Sequence, residues 1–338
     1  MHFSFDDDHH AFADATRAVL SEQCGPDVVR AAWEAPAGQL DRAVWDQLVG
    51  LGVNALLVDE QHGGLGLDEV WAALVLEQTG RAALPHPLVE SAIVAAAFDP
   101  SVVDGTLIST DLGGPNVPCA ADADRLLLLD ERAGALHLVD RESVELVPDT
   151  AVDRSRRIAT VVWSPSPDSI VTDDAAEIAL ARDRGAFGTA AVLLGLADSM
   201  LAMTADYVRE RRQFGVPVGS FQAVKHQLAD ALMQVSFARP AVHRAAWSIA
   251  RGEPTRRRDV SMAKALASDA GVTVARTALQ CHGAIGYTVE HDLHLFLKRT
   301  FALSRCWGSA ADHRRVVAAA ITRERDRDRD RHGATTTV

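Results

Sequence analysis

The stretch Tyr207-Val-Arg-Glu-Arg-Arg-Gln-Phe-Gly215 sets an arginine, an amide and an aromatic ring at Arg211, Gln213 and Phe214, just ahead of a glycine. A guanidinium is a planar fork of donors suited to a pyrophosphate. Gln213 can hydrogen-bond a sugar or the edge of a base, and Phe214 can stack. Further along, Gln280 precedes Gly283 and Ala284, small residues that let backbone approach a ligand closely. Taken singly, each is what any Arg-rich helix end and tight turn contain.

Other chemistry-bearing residues are read more plainly. His291-x-x-His294 has helical spacing but no third ligand, so the pair is assigned to a surface or interface and no metal is expected. Arg256-Arg257-Arg258 reads as a solvated loop end, with a phosphate contact as the alternative. His9-His10, Asp183 and the Arg-rich tail are read as solvated.

Three blocks must position these residues. Helical spacing dominates residues 1–100, with Gly63-Gly64-Leu65-Gly66 as a loop and Asp68 opening an apolar helix that Pro85 and Pro87 end. Residues 101–173 switch to short apolar runs punctuated by Gly, Pro and Asp, a small β domain of six or seven strands. Residues 174–325 return to long helices, read as Ala175–Arg212, Ser220–Gly252 with Ser220 as N-cap and a kink at Pro240, Arg258–His282, and Val289–Cys306. A capping box at Ser309–Asp312 opens the last helix. Residues 326–338 read as a disordered tail. The fold class is α+β, mainly α, because strands and helices are segregated along the chain.

Composition narrows the partners. The 338 residues carry a formal net charge of −12, which disfavours nucleic acid. Cys24, Cys119, Cys281 and Cys306 form no C-x-x-C pair and read as free thiols of a cytoplasmic protein. No apolar run is read as spanning a bilayer, and no membrane partner is expected.

Three motifs stand in one order: Gln61-His62-Gly63-Gly64-Leu65-Gly66, then Arg211-Arg-Gln213-Phe214-Gly215 with the helix start Phe221-Gln222, then Gln280-Cys-His-Gly283-Ala284-Ile-Gly286. The sequence over roughly residues 5–322 resembles the acyl-CoA dehydrogenase family. The resemblance implies an N-terminal helical domain, a β domain and a C-terminal four-helix bundle. It also implies FAD shared at a subunit interface, with Arg211, Gln213, Phe214, Gln222, Gln280, Gly283 and Ala284 gripping the ADP half of the neighbour's FAD.

The departures from that family lie in the catalytic half. The reaction needs a carboxylate to take the α proton while the β hydrogen leaves as hydride to flavin. The family's Tyr-Glu-Gly-Thr run aligns with Cys306-Trp307-Gly308-Ser309, so Trp307 stands at the catalytic Glu position. An indole donates a hydrogen bond and accepts no proton. Gly185 stands at the base position that other members use. The flavin-contacting β segments are shortened, with Ser109–Gly114 the nearest remnant.

The resemblance therefore implies a base-lacking subunit that lends its ADP clamp to a Glu-bearing acyl-CoA dehydrogenase partner, as an α2β2 heterotetramer. The implied substrate is an acyl-CoA, in the manner of actinobacterial steroid side-chain degradation and cholesterol catabolism. The implied acceptor is of the electron-transfer flavoprotein kind. The alternatives are a stand-alone flavin oxidase or monooxygenase on the same fold, and a cofactor-free structural subunit.

Overall fold

A computed structural model describes residues 4–110, 112, 114 and 116–333, with side chains described through residue 323 and at Arg325. The first block holds α1 (Asp7–Gln23), α2 (Pro26–Glu34), α3 (Ala43–Gly50) and α4 (Glu69–Arg81). Local chemistry sets their starts. The Asp6 carboxylate accepts from the His9 amide, Pro26 occupies the first turn of α2, and Asp68 accepts from the Val70 amide at 3.0 Å. After Pro85 and Pro87 the chain makes a π-helical segment, Val89–Val94, and a 3-10 turn, Ala95–Ala97.

The middle block forms two sheets among the described residues. One has the order β1 (Ile108–Ser109), β3 (Arg125–Asp130), β4 (Ala135–Asp140), β7 (Ile170–Thr172). The other has the order β2 (Asn116–Val117), β6 (Ala159–Val162), β5 (Glu145–Pro148). Pairing is antiparallel except for β1 with β3.

The third block is built on α5 (Ala175–Glu210), a small hairpin of β8 (Arg212–Gln213) and β9 (Val216–Pro217), α6 (Gln222–Ala250), α7 (Arg256–His282), α8 (Leu293–Leu303) and α9 (Ala310–Gly333). α5 is long and apolar enough to cross a bilayer, contrary to the sequence reading, but its most apolar window is 72% buried by neighbouring helices. Its small residues admit α4 at backbone contact: a Cβ at Gly195 would sit 2.7 Å from the Arg81 amide nitrogen and closer still to the Glu77 carbonyl. Buried ion pairs then lock the bundle. Arg239 reaches Glu77 at 2.6 Å and Asp198 at 2.8 Å, and Arg184 reaches Glu69 at 2.7 Å.

The structure departs from the sequence readings at several points. Ser220 does not cap α6: it closes a 3-10 turn with its hydroxyl donating to Pro217 O, and the helix starts two residues later. Asp183 is not solvated but fully buried, bonded to Arg256 at 2.9 Å and Arg257 at 2.6 Å, while Arg258 pairs with Asp259. The three arginines thus form the ion-paired first turn of α7 instead of a loop end. His9 stacks on Trp71 with ring centroids 4.0 Å apart. The last helix continues to Gly333, past the point where a disordered tail was expected, and residues 334–338 lie outside the described residues.

Candidate functional site

The α5–hairpin–α6 junction places the first group of chemistry-bearing residues. Arg211 caps α5, and the register Gln213↔Val216 leaves Phe214 and Gly215 as a two-residue turn. Both have positive φ, +53° and +80°, the geometry of a tight hairpin turn. A phenylalanine is unusual in that backbone region. It projects outward, 93% exposed, with only an edge contact to Phe221.

Behind the hairpin lies an open cleft of about 780 Å³. Arg211, Gln213, Gln280, Gly283 and Ala284 all line it, drawn from two well-separated regions of the chain. Phe214 and Gln222 do not line it; the α6 residues that do are Ala223, Val224 and Gln227. Tyr207 and His282 complete the wall and escaped the sequence reading, because nothing in their spacing marks them as partners. Their rings stack at 4.4 Å, and His291 packs edge-on to His282 at 4.6 Å. The Ala278 carbonyl accepts from His282 Nδ1 at 2.8 Å, which leaves Nε2 a buried acceptor with no partner among the described residues. Burial holds this imidazole below its ordinary pKa. His294 faces elsewhere, buried against Trp33, so the two histidines of the His291-x-x-His294 spacing serve different contacts.

The second group meets where the turn between α8 and α9 approaches α5. Trp307 and Gly308 have φ of +57° and +99°. That turn carries the indole onto the backbone of Gly185: a Cβ there would lie 2.5 Å from Trp307 Cζ3 and closer to Cδ2 and Cε3. The Ser309–Asp312 capping box follows, with Asp312 accepting from Ser309 N at 3.0 Å and from its hydroxyl at 2.6 Å. Asp183, two residues before Gly185, is fully occupied by its two arginines.

Cavities along the β domain differ widely in size: about 450 Å³ beside Trp33, Arg141 and Ile158, and about 480 Å³ beside Leu128, Glu131 and Trp163. The cavity bounded by Glu90, Pro118, Cys119, Thr189, Arg299 and Leu303 holds about 40 Å³. Ligand pockets for molecules of cofactor size measure about 300–1,000 Å³. Arg299, 7% exposed, fills the region and bonds Ser155 at 2.9 Å and Asp153 at 3.2 Å. The Asp41 carbonyl accepts from His86 Nε2 at 2.9 Å, and burial pushes that imidazole down to about 4. Thr110 and Leu112 of the expected flavin-contacting remnant are buried, whereas Asp111 and Gly113 lie outside the described residues.

Two domain descriptions match the sequence: acyl-CoA dehydrogenase, N-terminal domain, over residues 6–100, and acyl-CoA dehydrogenase, C-terminal domain, over residues 177–322. The chain belongs to the acyl-CoA dehydrogenase family. Family membership makes it an oxidoreductase-type polypeptide with the architecture described above. It is 32% identical over 323 residues to acyl-CoA dehydrogenase IpdE2 of Mycolicibacterium smegmatis, covering 91% of this chain and 97% of that protein. Among solved structures, the ChsE4–ChsE5 complex from Mycobacterium tuberculosis matches with a TM-score of 0.86 at 22% identity, over 95% of this chain and 99% of that one. The Tcur3481–Tcur3483 steroid ACAD G363A variant matches with a TM-score of 0.83 at 23% identity, over 95% and 99%. The two domain matches leave residues 101–176, with the β sheets, between them.

Proposed function

We propose that this acyl-CoA dehydrogenase chain is the base-lacking subunit of a heteromeric enzyme that introduces an α,β double bond into a steroid side-chain acyl-CoA in the cytoplasm. Its role is to supply the ADP half of the FAD site to a Glu-bearing partner, in an α2β2 assembly that passes electrons to an electron-transfer flavoprotein. The supporting observation is an asymmetry. By the resemblance, the proton-acceptor position holds Trp307, packed on Gly185, while the Arg211–Gln280 cleft is open at about 780 Å³.

The cleft suits the group it would hold. Among the described residues no acidic side chain pairs with the Arg211 guanidinium, which leaves it to a diphosphate. Gln213, Gln227 and Gln280 offer amides to ribose and base edges, and the buried Nε2 of His282 is an acceptor still lacking a donor. Gly283 has open space around its Cα and φ of +64°, so backbone can lie against a ligand. FAD, when bound, supplies the hydride acceptor; this chain's residues bind and orient its nucleotide end. Substrate class and heteromeric assembly rest on the likeness to the steroid ACAD and to the ChsE4–ChsE5 complex, and the cytoplasmic setting on the four free thiols, which suit a reducing compartment.

Co-expression with a Glu-bearing partner tests the proposal. A yellow, active complex is expected, and Arg211→Ala in this chain should strip its FAD. Flavin content and turnover unchanged by Arg211→Ala and Gln280→Ala together would assign the chain a cofactor-free structural role instead.

A further inference from the structure

Lys264 is one of the largest fully buried side chains of the molecule, yet no acidic group among the described residues bonds it. Its ammonium donates to Ser268 Oγ at 3.1 Å, to Ser304 O at 3.3 Å and to Gly308 O at 3.1 Å. Two of these acceptors are backbone carbonyls that bracket Trp307. The carbonyl of Trp307 itself accepts from His313 Nε2 at 2.9 Å, and His313 Nδ1 accepts from the Ser261 hydroxyl at 3.1 Å. Lys264 and Ser261 stand at i and i+3 spacing on α7, so a single helix face presents both tethers.

These contacts answer a local problem. A bulky residue in the left-handed region is strained and persists only where its surroundings over-determine it. Here the strained residue is the indole-bearing one, followed at once by Gly308 at φ +99°. A Cβ at Gly308 would lie 2.8 Å from His313 Nε2, so the glycine is also what lets the imidazole reach the turn. Burial brings Lys264 down to about 8 and His313 down to about 4, which fits an ammonium facing only neutral oxygens and an imidazole kept neutral.

We infer that Lys264 and His313 are positioning residues: braced by α7, they grip successive carbonyls of the 304–308 turn and hold the Trp307 indole on Gly185. The pocket of this subunit is thus closed by a braced plug and not by a loosely packed side chain. This deepens the proposed non-catalytic role and rests on it for the meaning of the closed pocket. The test reads the indole, not flavin or turnover, so either idea can fail without the other.

The experiment takes the fluorescence of the full chain, subtracts that of Trp307→Phe to isolate the Trp307 signal, and measures its quenching by acrylamide. Gly185→Ala is the control, since its methyl must push the indole off. Lys264→Met keeps the length of the side chain and removes its donors; His313→Phe does the same for the second tether. Both variants should stay folded by circular dichroism while the Trp307 signal shifts to the red and its quenching rises severalfold, towards the Gly185→Ala value. A folded Lys264→Met or His313→Phe with a wild-type Trp307 signal, even at a lowered melting temperature, overturns the inference. If one variant fails to fold, the other decides the question in the same way.

Discussion

The indole of Trp307, at the end of one chain region, lies directly on the Cα of Gly185, in the middle of another. On the proposed reading these are the two positions at which the family's proton acceptor would stand, and one closes over the other. The contact leaves no room for a side chain at Gly185 while the indole stays in place.

Gly185→Ala adds a methyl where the indole already sits. Overpacking of this kind costs about 1–3 kcal/mol. The midpoint of thermal unfolding should fall by several degrees, and Gly185→Ala combined with Trp307→Phe should recover part of the loss. A calorimetric series of the two single variants and the double variant measures it.

Trp307→Glu supplies a carboxylate but not the partner's share of the proposed FAD site. On the proposed clamp-lending role, the variant alone should still fail to oxidise an acyl-CoA, and should purify without flavin. Dye-reduction assays and the visible spectrum of the purified variant decide this.

Asp183 binds two arginines of α7 from a fully buried position. Removing one partner of a buried pair leaves uncompensated charge and costs about 3–5 kcal/mol. Arg257 is half exposed, so Asp183→Ala should fall at the lower end, still far above the near-zero effect of a solvated aspartate. Urea unfolding at neutral pH gives the number.

Acid should destabilise the chain before carboxylates titrate. His86 and His313 have pKa values of about 4 in the folded state, below their ordinary 6.5, because burial disfavours their charged forms. Between pH 6.5 and 4 the unfolded chain therefore binds more protons, and stability falls as pH falls through that window. Each imidazole contributes up to about 3 kcal/mol across it. Lys264, lowered to about 8, gives the same sign higher up: stability rises with pH between about 8 and 10.5. Unfolding free energies measured from about pH 4 to about pH 10 should show both slopes, and His86→Phe should flatten the lower one.

Much of this was legible in the sequence, and what was not shares a cause. The helix–strand–helix order followed from hydrophobic period, which is local. Trp307 and Gly185 could be placed by motif, as could Arg211, Gln213, Gln280, Gly283 and Ala284, which the fold gathers into one cleft. Phe214 and Gln222 carry the motif but stand outside the cleft wall, because the two-residue turn points the ring to solvent and α6 presents its next residues inward. Asp183 looked solvated because its arginines lie over seventy positions away. Arg299 reaches Asp153 across 146 positions, and no pattern within the sequence announces such a pair. The run from residue 326 looked like a tail because its charges alternate, yet extending a helix already nucleated by a capping box costs little per residue.

The direct measurement is flavin per polypeptide together with thioester oxidation, for this chain purified by itself and again beside a Glu-bearing relative. A colourless, inactive polypeptide is expected in the first case, and one FAD per heterodimer with turnover in the second. A yellow homo-oligomer that oxidises acyl-CoA unaided would contradict the base-lacking, clamp-lending role.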